Sequence, residues 1–363
     1  MREYLLCLAA AAAVTYLLTP LARQLAIRYG ALAQIRDRDV HATVTPRWGG
    51  LAILGGLVVA VILADHLPLM STIFNDRKQI VALSLGALVI VCLGLADDKW
   101  SLDAPTKLVG QIAAAGLMAM QGVTLVWLPI NGTLILDSSL SVLLTIFFVL
   151  VSINAVNMVD GLDGLAASIV GVGAAAFFAY SYFLSVENGY QRAALPTLVS
   201  AALVGTCIGF LPHNWFRARI FMGDTGSMLL GFLMAGSSIM LTGQVDPGGI
   251  SSGALFPVFL PILLPLLILA VPLLDLVLAV LRRTRKGTSP FAPDKQHLHH
   301  RLLDLGHGQQ RAVVIMATFT AVIAFGAVST AFIPMWITLI LVAVGLVTLV
   351  GWVFNPPRET ITQ

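Results

Sequence analysis

Five aspartates stand beside long apolar stretches of this 363-residue chain: Asp97, Asp98, Asp160, Asp163 and Asp224. Ionisable groups at the edge of a bilayer are costly, and carboxylates that lie close together repel unless a cation or a proton joins them. Hard oxygen ligands with few histidine or thiol partners suit Mg²⁺, with Mn²⁺ as a substitute. The aspartates therefore indicate a site for a divalent cation.

Basic residues occupy short strings next to the same apolar stretches. Lysine and arginine side chains bind anions such as phosphate. Acids that can hold a metal, beside bases that can hold phosphate, predict phosphoryl transfer at a membrane surface. The basic residues are Lys107, Arg282, Arg283, Arg285, Lys286, Lys295 and Arg301.

Each of these features also has a purely structural interpretation. Asp97 and Asp98 could cap the helix that follows them, and Asp224 could cap the helix that begins beside it. The DGLDG string at 160–164 could be a solvated turn, and the basic run at 282–286 has a role in orienting the chain in the membrane. Because all of these strings are expected on one membrane face, a shared functional site is favoured.

Transmembrane helices are the elements that must position these residues. The chain is 58% hydrophobic and 11% charged, whereas a soluble protein carries about 25% charged residues. A helix needs about 20 apolar residues to cross the hydrocarbon core. The sequence predicts an all-α polytopic membrane protein with about eleven spans, at residues 4–22, 48–65, 79–96, 108–125, 139–157, 165–185, 194–212, 226–243, 254–281, 312–332 and 334–354.

The loops between these spans differ in charge. One alternate set contains 17 of the 21 lysines and arginines. The positive-inside rule places this set in the cytoplasm, which puts the N-terminus outside and the C-terminus inside. We interpret residues 1–363 as a single membrane transferase domain whose catalytic loops are 23–47, 97–107, 158–164, 213–225 and 282–311.

One connecting segment, residues 123–137, differs from the rest. Asn131 and Gly132 stand between two β-prone runs, a pattern typical of a hairpin with a type I′ turn. The sequence therefore predicts a short external β-hairpin. The ninth span contains four prolines, so we expect a kinked or broken helix at 254–281.

Several strings follow one another along the chain: HATVTPRWGGLAI, LADDKWSLDAPTKLVGQ, INAVNMVDGLDGLA, RIFMGDTGS, PLLD and SPFAPDKQHLHHRL. Together they resemble the polyprenyl-phosphate N-acetylhexosamine-1-phosphate transferase family of the glycosyltransferase 4 type. The string QHLHHRLLDLGHG resembles the branch that transfers GlcNAc-1-phosphate, and PLHHHFE, typical of the UDP-MurNAc-pentapeptide branch, is absent from the sequence. The resemblance implies UDP-GlcNAc and a membrane polyprenyl phosphate as substrates. It implies polyprenyl-diphosphate-GlcNAc and UMP as products, in the first membrane step of a cell-envelope glycan.

The resemblance also implies roles for the acids. Asp224 of the FMGD string is the expected Mg²⁺ ligand, and Asn157 can join it. Asp97 and Asp98 match paired catalytic acids, the first of which is implied as a base toward the lipid phosphate. Because a phosphate monoester is already mostly dianionic at neutral pH, a positioning or proton-accepting role suits Asp97. We place Asp160 in the same catalytic group.

Substrate contacts follow from the same resemblance. Lys107 matches a lysine that meets phosphate, and Asp163 and Phe221 match positions that hold the uracil by hydrogen bond and by stacking. Asp275 matches an acidic position to which we assign no role. The remaining expected contacts with the sugar, the diphosphate and the lipid phosphate come from Arg47, His297, His299, His300 and Arg301.

Other functions predict other patterns. An ion-coupled transporter would have acids near the bilayer midplane and internal repeats. A CDP-alcohol phosphotransferase would have an arginine after the alanine of DGLDGLAAS and a second acid pair, which the sequence lacks. Transfer from another UDP-HexNAc donor remains open. The expected partners are UDP-GlcNAc and the lipid, without nucleic acid, in the inner or plasma membrane, with the oligomeric state open and a homodimer among the options.

Overall fold

The computed structural model describes residues 1–33, 44–68, 70–74, 77–128, 134–187, 194–243 and 298–355, with isolated positions between 260 and 287. Most of the regular structure in these ranges is helical. The helices are α1 (Arg2–Tyr29), α2 (Gly49–Asp65), α3 (Lys78–Trp100), α4 (Ala104–Met120), α5 (Ser138–Val159), α6 (Leu165–Tyr182), α7 (Ala194–Asn214), α8 (Gly223–Thr242), α9 (Leu298–Asp304), α10 (Gln309–Ser329) and α11 (Met335–Val353).

Ten of the eleven predicted spans coincide with a helix. Within the described ranges, eight helices are long and apolar enough to cross a membrane by length and composition. The helices α2 and α4 have 17 residues each and are shorter. The ninth predicted span, 254–281, lies outside the described residues apart from isolated positions. The all-α membrane class is confirmed, and the number and orientation of the spans stay predictions.

Two helix ends lie beyond their predicted positions. The helix α1 continues to Tyr29 because Gly30, with φ of 72°, is the residue that adopts the left-handed conformation of a helix end. The helix α3 continues to Trp100, so Asp97 and Asp98 belong to its last turn and not to a loop. This position directs both acids from α3 toward the neighbouring helices α4 and α8.

The helix α8 is the centre of the described bundle. Its most apolar stretch is 100% buried, between α3, α5, α2 and α7. Close helix approach in a membrane needs small residues. Gly94 of α3 meets the backbone of Thr225 so closely that a Cβ atom at Gly94 would collide with it. The N-terminal turn of α8 is therefore fixed against the C-terminal turn of α3.

The predicted hairpin is present as two short strands. Strand β1 (Trp127–Leu128) pairs antiparallel with β2 (Leu134–Ile135). The predicted turn, Asn131-Gly132, lies outside the described residues. Trp127 donates its indole N–H to the carbonyl oxygen of Thr242 over 3.2 Å. Because Thr242 ends α8, the hairpin lies at the end of the bundle opposite Asp224.

Candidate active site

Three helix ends bring two acids and a lysine together. Asp97 lies in the last turn of α3, Lys107 in the first turn of α4, and Asp224 in the first turn of α8. Lys107 Nζ donates to Asp97 Oδ2 over 3.1 Å and to Asp224 Oδ2 over 2.9 Å. One ammonium group therefore bridges two carboxylates that are 127 positions apart in the sequence. Two of the predicted strings, 95–107 and 213–227, therefore meet at one end of the bundle.

Asp97 is held from both sides. Its Oδ1 accepts a hydrogen bond of 2.8 Å from the backbone N–H of Leu102, and its Oδ2 accepts the bond from Lys107. Only 5% of the residue is exposed. Asp97 is thus a positioned carboxylate at the edge of the cluster.

The Asp98 side chain contacts α8, and not α4, the helix that follows it in the sequence. Its Oδ1 accepts from the backbone N–H of Asp224 over 2.9 Å. Its Oδ2 accepts from the N–H of Thr225 over 3.1 Å and from the Thr225 hydroxyl over 2.6 Å. The capping interpretation of Asp98 therefore holds for α8, whereas the sequence analysis considered the helix that follows directly.

Asn157 and Asp160 form the α5 side of the site. Asn157 Nδ2 donates to Ser227 Oγ over 3.0 Å, and the amide also bonds the Asp224 side chain. Asp160 follows the last residue of α5 and is half-buried. Burial raises the pKa of the Asp160 carboxyl to about 7, the negative charges of Asp224 and Asp98 add to the shift, and the guanidinium of Arg47 opposes it. Arg47 therefore lies close enough to act on this cluster.

The loop between α7 and α8 lies against the start of α6. Asp163 Oδ2 accepts from the backbone N–H of Ala218 over 3.0 Å. The buried Asn214 bridges the same two segments, since its Oδ1 accepts from Gly164 N over 3.0 Å and its Nδ2 donates to Ile220 O over 2.9 Å. The sequence analysis did not single out Asn214. The signal that could have found it is an amide side chain at the end of an apolar helix, because buried polar groups need partners.

Phe221 reaches the site by backbone pairing. Its N–H donates to Pro46 O over 2.8 Å, and its carbonyl accepts from Gly49 N over 3.0 Å. These bonds join the segment that precedes α2 to the segment that precedes α8. The Phe221 side chain is half-buried, and the residue precedes the first turn of α8 by two positions.

The fourth predicted string lies mostly outside the described residues. Arg301 lies in α9 and is exposed. Neither His297 nor Asp275 is among the described residues, and the same holds for the side chains of His299 and His300. The predicted closing of this loop over the sugar and diphosphate therefore stays a prediction.

The donor atoms around Asp224 fit a magnesium ion. Among the residues that the structure describes, no group of three His, Cys, Asp or Glu side chains could hold a metal. Mg²⁺ does not need one, since it usually takes one or two carboxylates and completes its shell with water and phosphate. Asp224 and Asp97 already hold a positive charge, the Lys107 ammonium. The carboxylates and the Asn157 amide oxygen are hard ligands of the type that Mg²⁺ prefers.

Comparisons with known proteins identify the family of this chain. Glycosyl transferase family 4 matches residues 80–242. The decaprenyl-phosphate N-acetylglucosaminephosphotransferase of Mycobacterium tuberculosis is 44% identical over 92% of this chain and 83% of its own length. Its Mycolicibacterium smegmatis counterpart is 43% identical over 96% and 87%. The undecaprenyl-phosphate alpha-N-acetylglucosaminyl 1-phosphate transferase of Salmonella typhi is 31% identical over 88% and 83%. The chain therefore belongs to glycosyl transferase family 4, among the polyprenyl-phosphate N-acetylhexosamine-1-phosphate transferases.

Proposed function

We propose that the protein transfers GlcNAc-1-phosphate from UDP-GlcNAc to a membrane polyprenyl phosphate. The products are polyprenyl-diphosphate-GlcNAc and UMP, and the reaction is the first membrane step of a cell-envelope glycan. The observation that carries the proposal is the bridge from Asp97 through Lys107 to Asp224 at one end of an apolar bundle. The relatives named above act on polyprenyl phosphates and transfer the same sugar phosphate.

The position of the charges argues against an ion-coupled transporter. Asp97 and Asp98 lie in the last turn of α3, and Asp224 lies in the first turn of α8. A transporter would need its ionisable groups near the bilayer midplane, where they form an ion path. Acids at helix ends suit a reaction between a water-soluble donor and a lipid whose head group lies at the interface.

Repulsion between two anions is the main barrier that the site must lower. The donor diphosphate and the lipid phosphate both carry negative charge, and their repulsion is stronger in a partly dry site than in water. We assign Asp224 and Asn157 as the residues that hold Mg²⁺, with Mn²⁺ as a substitute. When bound, the cation would supply positive charge beside the phosphates. Lys107 adds a second positive charge at the same place.

Binding of the donor is assigned to residues on two sides of the cluster. Asp163 and Phe221 serve the uridine, by hydrogen bond and by stacking. Arg47 extends toward Asp160 and can meet the diphosphate. The loop residues His297, His299, His300 and Arg301 complete the sugar and phosphate contacts.

Direct displacement accounts for the reaction without a covalent enzyme intermediate. An oxygen of the lipid phosphate attacks the sugar-bearing phosphorus of UDP-GlcNAc, a P–O bond forms, and the P–O bond to the UMP phosphate breaks. Asp97 positions the acceptor or takes its last proton, and Asp98 and Asp160 act as supporting carboxylates.

We place the protein in the inner or plasma membrane with this site on the cytoplasmic face. Single cysteines in 23–47 and 282–311 should be labelled from the cytoplasm, and cysteines in 66–78 and 186–193 from outside. Labelling of a cysteine at position 285 from the outer face would contradict both the orientation and the shared site.

A reconstituted assay tests the proposed reaction. Purified protein in nanodiscs is incubated with radiolabelled UDP-GlcNAc, polyprenyl phosphate and Mg²⁺, and both UMP and labelled lipid are measured. We expect equal amounts of the two products, no product with EDTA, and recovery with Mg²⁺ or Mn²⁺. Replacement of UDP-GlcNAc by UDP-GalNAc tests donor choice. Ion flux into sealed proteoliposomes, without lipid product, would instead favour the transporter.

A further inference from the structure

We infer that Asp98 is a positioning residue that locks the first turn of α8 and occupies the place where that helix would otherwise bind an anion. This inference rests on the proposed function and assigns Asp98 a role other than proton transfer. It also predicts where the substrate phosphates do not bind. They meet the ammonium group of Lys107, and not the backbone N–H groups at the start of α8.

The hydrogen bonds carry the first part of the argument. The first N–H groups of a helix have no partner within the helix and commonly bind phosphate or carboxylate. In α8 the N–H groups of Asp224 and Thr225 both donate to Asp98, and the Thr225 hydroxyl adds a third bond. A carboxylate from α3 therefore takes the position that a substrate phosphate would need.

The backbone at Gly223 carries the second part. Gly223 has φ of 70°, in the region that favours glycine. A Cβ atom there would lie 2.5 Å from Asp98 Oδ2 and 2.7 Å from Oδ1. The absence of a side chain at Gly223 is what lets the Asp98 carboxylate reach the helix. On the other side, Gly94 brings the α3 backbone against Thr225.

The neighbouring acid shows how different the two positions are. Asp97 bonds Lys107 at the edge of the cluster, whereas Asp98 bonds the backbone beneath it. The group that gains from Asp98 is Asp224, since its own N–H is one of the three donors. Asp98 thus acts through Asp224, by fixing where the Asp224 carboxylate stands relative to Lys107 and Asn157.

Variants of both partners test the lock. Thr225→Val removes the hydroxyl donor and keeps the shape, and Thr225→Ser keeps the donor as a matched control. Asp98→Asn keeps the size but turns an N–H group toward other N–H donors. We expect kcat to fall about ten- to hundredfold in Asp98→Asn and about five- to tenfold in Thr225→Val, from the usual strength of such bonds. The kcat of Thr225→Ser should stay close to the parent value. The KM for UDP-GlcNAc should stay close to the parent value in all three variants.

A double-mutant cycle and amide hydrogen exchange distinguish a positioning role of Asp98 from a role in proton transfer. In the Asp98→Asn background, Thr225→Val should lower kcat only slightly further, because the hydrogen bond that it removes is already disturbed. Hydrogen–deuterium exchange of the peptide covering 220–230 should be faster in Asp98→Asn and in Thr225→Val than in the parent. Because this exchange is measured without substrate, it tests the lock even if the parent fails to make lipid product.

Any one of three results would overturn the inference. The first is unchanged exchange at 220–230 in Asp98→Asn together with loss of turnover, which would point to a direct chemical role. The second is a parent-like kcat in Thr225→Val, and the third is an equal fold-loss of kcat from Thr225→Val in the parent and in the Asp98→Asn background. If Asp98→Asn does not fold, the Thr225 variants alone decide, since they change a single hydroxyl.

Discussion

The two ends of α8 are both held by side chains from other elements, yet their chemistry differs. At the N-terminal end, Asp98 accepts from the backbone of Asp224 and Thr225, and Lys107 pairs with the Asp224 side chain. At the C-terminal end, the indole of Trp127 donates to the carbonyl of Thr242. The first end is built from charged groups, and the second from neutral ones.

This difference separates fixing a helix from equipping it for chemistry. A neutral donor such as Trp127 satisfies a helix carbonyl at modest cost, because it brings no charge to a buried place. The N-terminal end carries several carboxylates around one lysine. Their mutual repulsion destabilises this arrangement unless a ligand or a cation offsets it. The comparison therefore predicts that changes at the first end affect turnover, and that changes at the second affect only stability.

The largest effect should come from Asp224→Asn. The change keeps the size of the side chain and removes the charge that a hard cation needs. Loss of a residue that supports a metal ligand lowers metal affinity or activity about 10- to 100-fold. Loss of the ligand itself should therefore lower kcat at least about a hundredfold. Turnover at saturating Mg²⁺ measures this, with the exposed Asp103→Asn as the control. A parent rate with the same Mg²⁺ dependence would move the metal to Asp97, Asp98 or Asp160.

Lys107→Met should have the next largest effect. The variant keeps a long apolar stem but leaves Asp97 and Asp224 without their shared cation, so we expect turnover to fall about 10- to 100-fold. Lys99→Met, in the last turn of α3 with its ammonium group over the Trp100 ring, is the control and should retain the parent rate. Equal rates for the two variants would remove Lys107 from the phosphate site.

Phe221→Ala tests the nucleotide side of the N-terminal end. Stacking of a base on an aromatic ring is worth about 1–3 kcal/mol, so affinity for UDP-GlcNAc should fall roughly ten- to hundredfold. Binding of UDP-GlcNAc and of polyprenyl phosphate is measured separately, and the lipid affinity should change less. Phe216→Ala, an exposed aromatic of the same loop, is the control. Unchanged donor affinity would place the uridine elsewhere.

Asn157→Ala should raise the Mg²⁺ requirement without abolishing turnover. It removes a neutral oxygen ligand and not a charge, so the Mg²⁺ concentration for half-maximal rate should rise about tenfold. Asn154→Ala, one turn earlier on α5, removes a bond to Gln111 and should leave that concentration unchanged. If the two variants behave alike, Asn157 is not a ligand.

The smallest effect should come from the far end. Trp127→Phe removes the indole donor to Thr242, so the free energy of unfolding should fall by about 0.5–1.5 kcal/mol. Turnover of the folded protein should match the parent. Trp336→Phe in α11, an exposed position, is the control for loss of an indole. A large loss of turnover in Trp127→Phe would contradict the prediction that the C-terminal end of α8 affects only stability.

Local pattern predicted much of this fold. Apolar runs located the helices, because each run has to bury itself in lipid or protein. The hairpin signal located the two strands, but the observed pairing of Trp127 with Ile135 differs by one residue from the register of a regular hairpin with a two-residue turn at Asn131-Gly132. The helix ends at Gly30 and Trp100 were missed, since polar residues can continue a helix past the bilayer edge.

The site was harder to predict than the fold. The strings identified Asp97, Lys107 and Asp224, but not that one lysine bridges two acids. Asp98 looked like a cap for the next helix, whereas it caps a helix whose first residues lie 126 and 127 positions away. Such long-range partners depend on how helices pack, and no local sequence pattern encodes them. Asn214 was missed for the same reason.

The complete burial of α8 has a consequence for how the protein responds to its membrane. The most apolar stretch of α8 is 100% buried, whereas that of α11 is 11% buried. Hydrophobic mismatch tilts helices that meet lipid, so a thicker or thinner bilayer acts on α11 and not directly on α8. The height of Asp224 is then set by the protein, while the phosphate of the polyprenyl lipid follows the bilayer surface. Bilayer thickness would therefore set the vertical gap between the acceptor phosphate and the site around Asp224.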